Sequence, residues 1–309
     1  MRIIGAAELE AALTWRDLVE ALRRLYRSGP VPPPNTQFSI PPEQPDGLLT
    51  VSTAWQDRRH IGIGMTTRFA GNPDQGKPAL MGSYMLLSAR TGQPLALLDG
   101  RRLTQKCTAG LSALASTYLS RNDASRLMMV GTGGLAASLI LAHAAVRPID
   151  EVLVWGRNVA EAKKLAKALR NQDFRIDATD DLERAADGAH IVCCATSAEE
   201  PVLRGAWLTP GVHVDLVGSV TPDMRETDNT VMERARIFVD IRDSAIATGD
   251  LAKPMTDGVI AETDITGDMF QLTRGETAGR RFYDQITLFK SCGSALTDLA
   301  GAQIALERT

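Results

Sequence analysis

The sequence predicts an α/β fold in which a parallel sheet covered by helices on both faces is joined to a second unit of mixed α+β character. Three observations carry this. Between residues 127 and 240, short apolar runs alternate with helical stretches, the pattern of strands buried on both faces. One of those runs, Leu127–Val130, feeds a small-residue turn that opens a helix. Before residue 100 the pattern is different: one amphipathic helix, then strand-like runs separated by a turn. At 309 residues the chain also exceeds the length at which a single core stops growing, so two domains are expected.

The elements follow in order. Thr14 precedes apolar residues at Trp15, Leu18, Val19, Leu22 and Leu25, a helical stripe with Thr14 as N-cap and Ser28-Gly29-Pro30 as its stop. The proline-rich segment Pro30 to Pro45 must be irregular or extended. Gly47–Ser52, His60–Thr67, Tyr84–Ser88 and Pro94–Leu98 read as strands, the last two joined by a turn at Arg90-Thr91-Gly92-Gln93. A helix from about Thr104 to Leu119 leads out of this unit. Leu127–Val130, Val152–Trp155, Arg175–Ala178, Ile191–Ala195, His213–Val217 and Ile237–Asp240 are the six strand candidates of the middle. Ala136–Ala145, Val159–Arg170 and Leu182–Ala186 have helical composition. Beyond Asp240 the order weakens, until Ile286–Phe289 reads as a strand followed by a turn and a helix to Leu306. That last segment is expected to return to the first domain. The predicted division is therefore 1–117 with 284–309, and 118–283.

Composition excludes several classes. A net charge of −3 gives no electrostatic footprint for nucleic acid or an anionic membrane. No run approaches the roughly 18 apolar residues that span a bilayer, and the acid-bearing start lacks a signal layout. A cytoplasmic location is expected. Cys107, Cys193, Cys194 and Cys292, with the scattered His60, His143, His190 and His213, show no metal-ligand spacing. They read as buried thiols and no metal.

The informative motif is Gly131-Thr132-Gly133-Gly134-Leu135-Ala136, which fits G-x-G-x-x-A between a strand and a helix. Gly131 permits the tight turn, Gly133 lets the backbone approach a pyrophosphate, and Ala136 allows close helix–strand packing, with the helix N-terminus facing the anion. This marks a Rossmann domain. At the end of its second strand, where NAD-binding versions carry an acid for the ribose 2′-hydroxyl, the chain has Trp155-Gly156-Arg157-Asn158. No carboxylate there repels a 2′-phosphate, and Arg157 can pair with one, so NADPH (NADP+) is the expected cofactor. Ala195-Thr196-Ser197 and Val217-Gly218-Ser219 end the fourth and fifth strands, where such folds hold their ligands. They are expected beside the nicotinamide ribose and ring.

Further segments resemble one family. Gly71-Asn72-Pro73, Thr91 to Gly100, Thr108-Ala109-Gly110, the glycine turn, Arg225-Glu226, Ala235 to Asp240 and Ile286 to Ser291 are similar to the ornithine cyclodeaminase/mu-crystallin family. Val154-Trp155 with Arg157, and His213 to Gly218, look most like its Δ1-pyrroline-2-carboxylate reductases. The resemblance implies a homodimer, hydride transfer to C=N, and Thr108, Lys290 and Ser291 on the nicotinamide and substrate side, with Ser291 or Thr108 as hydroxyls able to give a proton. It also exposes departures. The Asp of the cyclodeaminases falls on Val220, the substrate-binding Lys on Gly64, an Arg on Cys107, and an early Arg on Asn35 or Gln37. Losing such cations removes charge-assisted hydrogen bonds of roughly 1.5–3 kcal/mol each. Gly64 and Cys107 are also expected to leave volume, with Val220, as pocket walls. The leading expectation is therefore an NADPH-dependent imine reductase or reductive aminase taking a neutral imine, or a ketone plus an amine. A cyclic imino acid reductase or another amino-acid enzyme of the family stays open, as does a non-enzymatic NADPH-dependent ligand binder.

Overall fold

The computed structural model describes residues 1–29, 31–33, 35–40, 47–69 and 71–309. They divide into two compact units, Met1–Thr108 with Gly293–Thr309, and Ala109–Cys292. In chain order the first elements are β1 (Arg2–Ile4), α1 (Ala6–Ala12), α2 (Trp15–Ser28), β2 (Thr36–Ile40), β3 (Gly47–Gln56), β4 (His60–Phe69), β5 (Leu80–Ser88), β6 (Pro94–Asp99) and α3 (Gly100–Leu119). Then come β7 (Arg126–Val130), α4 (Ala136–Val146), β8 (Glu151–Trp155), α5 (Val159–Leu169), β9 (Arg175–Thr179), α6 (Leu182–Asp187), β10 (Ile191–Cys194) and β11 (His213–Leu216). The chain ends with α7 (Asn229–Arg234), β12 (Ala235–Val239), α8 (Arg242–Ile246), α9 (Gly249–Thr256), β13 (Ile265–Asp268), α10 (Met269–Arg274), β14 (Ile286–Lys290) and α11 (Ala295–Arg308).

The first unit is a six-stranded sheet of order β1-β6-β5-β4-β3-β2, antiparallel except for the β1–β6 pair. The stripe read on α2 is its buried face: Leu18, Val19, Leu22 and Leu25 are at most 3% exposed. Thr14 caps α2 by accepting from the Asp17 amide. In the proline-rich segment Thr36–Ile40 is extended and pairs with β3; Pro30, Pro34 and 41–46 lie outside the described residues. The helices α1 and the three-residue β1 escaped the sequence reading because each is too short to show a period.

The second unit is an eight-stranded parallel sheet of order β13-β12-β14-β11-β10-β7-β8-β9. Three points correct the sequence reading. Ile286–Lys290 does not leave with the first unit, because it fills the slot between β11 and β12 and pairs with both. The second unit also begins earlier, at Ala109, part-way along α3, and it gains an edge strand, β13, in a stretch read as unordered. All five residues of β14 are buried, as a central strand of a doubly covered sheet must be.

On one face of this sheet a polar cluster is buried. His143 Nε2 and Cys193 Sγ each lie 3.2 Å from Asp215 Oδ2, and the three are fully buried. Sequence spacing concealed this grouping of three ligand-type side chains. Burial pushes the Cys193 thiol well above its ordinary range, so it donates to Asp215 as a hydrogen-bonding thiol. His213 is buried beside them with its pKa depressed to about 3, chiefly by desolvation. All four cysteines are free thiols, Cys292 being only half-buried.

Candidate functional site

The carboxyl ends of β7, β8 and β10 frame a cleft of about 410 Å³. Its walls are Gly131, Thr132 and Gly133 after β7, Trp155 to Asn158 after β8, and Ala195 to Ala198 with Val202 after β10. Ligands of open parallel sheets lie beyond these strand ends. Gly131 has φ +117, and a Cβ there would come within 2.5 Å of the Ala195 carbonyl oxygen, so only glycine fits. Gly133 is the opposite case: it is exposed and a Cβ would meet nothing within 4 Å, which leaves its backbone open to an incoming group. Leu135 stands at the N-cap of α4 with no side-chain cap, and the Ala136 amide donates to the Gly133 carbonyl at 3.1 Å, so the positive end of the helix dipole faces the turn, where an anion is favoured. Gly134 is exposed and Leu135 half-buried in the same turn, and Ala136 is buried under the sheet. A dinucleotide's diphosphate fits this cradle.

At the mouth, Arg157 is exposed, and among the described residues no carboxylate lines the cleft. Asn158 has its Oδ1 engaged as the cap of α5, accepting from the Ala160 amide. Thr196 is tied down instead: its amide and hydroxyl both donate to Glu226 Oε1, at 2.6 and 2.9 Å. Gly218 N donates to Glu226 Oε2 at 2.8 Å. Val217 is buried, its N–H donating to the Cys194 carbonyl, so its side chain belongs to the core. Val220, matched to the cyclodeaminase acid, is 56% exposed.

Lys290 corrects an expectation. Its side chain is fully buried and reaches Asp250 Oδ2 at 3.5 Å, so its charge is committed inside the unit rather than presented to a ligand. Burial opposes that charge, but Asp250, Cys292, Glu226 and Asp240 outweigh it and raise the ammonium pKa. Glu226 is raised to about 7, first by burial and then by Asp250, with Lys290 and the Thr196 and Gly218 amides pulling the other way. Ser291 is buried with its hydroxyl unpartnered, among the described residues.

The first unit holds the positions read as stripped pocket walls, and here the expected volume is absent. A Cβ on Gly64 would lie 2.5 Å from Ser52 Oγ and 3.4 Å from the Tyr84 ring. Tyr84 is 1% exposed, with its hydroxyl donating to the Ala295 carbonyl, and its ring occupies the space over Gly62 and Gly64. Cys107 is fully buried against Gly301 of α11. Neither position is a hollow; neighbouring side chains have filled in. Of the cations that could replace the missing ones, Lys106 is engaged by Glu10 at 3.0 Å and lies 4.1 Å from the Trp15 ring centre. Arg68 and Lys77 are exposed, as are Asn35 and Gln37, and Thr108 is buried. A residue the sequence did not single out is Asp298 on α11. Its Oδ2 accepts from Thr104 Oγ1 at 2.8 Å, and burial raises its carboxyl to about 7. The only signal for it was an acid in the first turn of a helix.

Comparison with known proteins places this geometry. The family model for the ornithine cyclodeaminase/mu-crystallin family matches residues 6–309. A Δ1-pyrroline-2-carboxylate reductase from Paracoccus denitrificans is 37% identical over 301 residues, covering 96% of this chain and 94% of that protein. The structure of the Thermococcus litoralis Δ1-pyrroline-2-carboxylate reductase with NADH and L-proline superposes with a TM-score of 0.94 at 29% identity, covering 100% and 97% of the two chains. An archaeal alanine dehydrogenase dimer with bound NAD superposes at 0.92 and 26% identity, covering 100% and 95%. The protein is an oxidoreductase acting on C=N bonds with a nicotinamide cofactor. Among the described residues no helix is long and apolar enough to cross a membrane. The match along nearly its whole length shows that the chain belongs to the ornithine cyclodeaminase/mu-crystallin family.

Proposed function

We propose that the protein reduces a cyclic imino acid of the Δ1-pyrroline-2-carboxylate type with NADPH. The observation that carries this is the 37% identity to such a reductase over almost the full chain, together with an intact diphosphate cradle. Gly131, Gly133 and the first turn of α4 would hold the diphosphate, and Arg157 the 2′-phosphate. Bound there, the reduced cofactor supplies a hydride. What the chain adds is position: donors fixed before the reaction cost no reorganisation during it. Thr108 and Ser291, both buried, are proposed as the hydroxyls able to give a proton. A homodimer is proposed from the family.

A second reading has its own support. Gly64 and Cys107 are uncharged, and Lys106 is taken by Glu10, so the positions matched to the family's carboxylate-binding Lys and Arg supply no cation. This favours a neutral imine. Two substrates with the same ring separate the readings: Δ1-pyrroline-2-carboxylate, and 2-methyl-1-pyrroline with methyl in place of carboxylate. NADPH oxidation with kcat/KM at least tenfold higher for the carboxylate supports the imino acid; the reverse order overturns it in favour of the neutral imine.

A further inference from the structure

The cleft wall after β10 is not self-supporting. It comprises Ala195 to Ala198, held at its ends by Val130 and Arg225 and at Thr196, its middle, by Glu226. Glu226 uses every polar atom it has. Its carboxylate accepts from the Thr196 amide and hydroxyl and from the Gly218 amide, joining the ends of β10 and β11. Its carbonyl accepts from the Val202 and Leu203 amides at 3.0 Å, and its amide donates to Asp250 Oδ1 at 2.7 Å. Beside it, the Arg225 amide donates to the Ala198 carbonyl at 2.7 Å. Residues 225–227 thus form a strap along the loop that runs from 198 to 203. The fit is close enough that a Cβ on Gly218 would collide with both the Thr196 carbonyl and the Glu226 carboxylate.

We propose that Glu226 is a positioning residue for the dinucleotide, setting the wall that Thr196 presents to the cleft through three hydrogen bonds to its buried carboxylate. Glu226 need not touch the cofactor. The proposal rests on the assignment of this cleft to a nicotinamide dinucleotide, and adds to it the device that keeps the cleft in shape.

The carboxylate form is the one that works, because three donors converge on its two oxygens, and protonation both removes the charge that strengthens those bonds and adds a buried O–H donor among donors. The charged and titratable groups facing it are Asp250 from α9, Lys290 from β14, and the Cys193 and Cys194 thiols from β10. Two acids share a single ammonium, and the surplus negative charge in a dry setting holds a proton on Glu226 up to about pH 7. Dinucleotide affinity therefore falls as the pH drops through neutrality.

The test measures NADPH dissociation constants by quenching of tryptophan fluorescence, without turnover, from pH 6 to 8.5. Wild-type protein is expected to bind more weakly toward pH 6. Glu226→Gln keeps the shape but replaces an acceptor oxygen with an amide donor, and is expected to weaken binding about tenfold or more at pH 8, with no remaining pH dependence. Asp250→Asn removes the neighbouring negative charge, and is expected to move the pH midpoint of binding downward while affinity at pH 8 holds within a few-fold. If Glu226→Gln lowers the melting temperature but binds NADPH with the wild-type affinity and pH profile, Glu226 is a structural residue and the proposal is overturned. Should that variant fail to fold, a wild-type affinity flat across pH 7, or an unmoved midpoint in Asp250→Asn, overturns it equally. Failure of the wild-type protein to bind NADPH or NADH at any pH would instead remove the assignment of the cleft.

Discussion

Two glycines two positions apart in the same turn, Gly131 and Gly133, do different jobs, and alanine at each separates them. At Gly131 the backbone sits at φ +117, a region that costs a residue with a Cβ about 1–3 kcal/mol. The added methyl would also lie 2.5 Å from the Ala195 carbonyl oxygen, closer than van der Waals contact allows, so β7 or β10 must shift. Gly131→Ala should therefore destabilise the protein by roughly 2–4 kcal/mol with no cofactor present, since strain and overpacking add. For a unit of this size that lowers Tm by about 4–16 °C. At Gly133 the added methyl meets no protein atom. Its only effect is on whatever approaches the turn, so Gly133→Ala should leave Tm of the free protein unchanged. It should cost one or more hydrogen bonds to a diphosphate, each about 1.5–3 kcal/mol when charged, or about 10- to 150-fold in Kd. Differential scanning fluorimetry of the free proteins and titration with NADPH read the two effects separately. If Gly133→Ala binds NADPH normally, or lowers the Tm of the free protein as much as Gly131→Ala, the division of labour argued from these contacts is wrong.

Other expectations follow from the same geometry. Arg157→Ala should lower kcat/KM for NADPH about tenfold or more and leave NADH nearly unchanged, because only the 2′-phosphate pairs with the guanidinium; an equal loss with both cofactors refutes the assignment. His213 has a folded pKa of about 3 against an ordinary value near 6.5. The unfolded chain then binds an extra proton between those values, so stability is lost as pH falls from about 6.5 toward 3. His213→Gln should flatten that part of the stability curve measured by urea unfolding between pH 4 and 7, and an unaltered slope excludes His213 as its source.

The second unit was legible where its signals are local. Most strands of the parallel sheet run as short apolar segments, although β9 (Arg-Ile-Asp-Ala-Thr) and β11 (His-Val-Asp-Leu) carry polar residues, and the turn at Gly131 carries its conformational demand in the residue itself. What escaped was set by distant neighbours. Ile286–Phe289 reads as a strand, but nothing within it says that it enters between β11 and β12. β13 is four residues containing a glycine, too short to show alternation. Gly64 and Cys107 looked like missing volume because a linear comparison sees what a position lacks; Tyr84 and α11, brought in by the fold, fill those spaces. Glu226 shows in the sequence only as part of the Arg225-Glu226 segment of the resemblance; its role emerges when tertiary structure buries it and delivers the amides of Thr196 and Gly218 to it. Asp298 and the His143–Cys193–Asp215 grouping are hidden for the same reason.

The late arrival of β14 has a consequence for how the molecule is made. Until residue 290 has left the ribosome, β11 and β12 have no partner on their facing edges, and the nascent sheet carries an open groove of unpaired amides and carbonyls. Such edges recruit other strands, so chains truncated just before Ile286 should aggregate rather than form a smaller stable sheet. Completion waits for the one strand that leaves the ribosome after all its neighbours in the sheet, and that order of events leaves the half-built sheet exposed during synthesis.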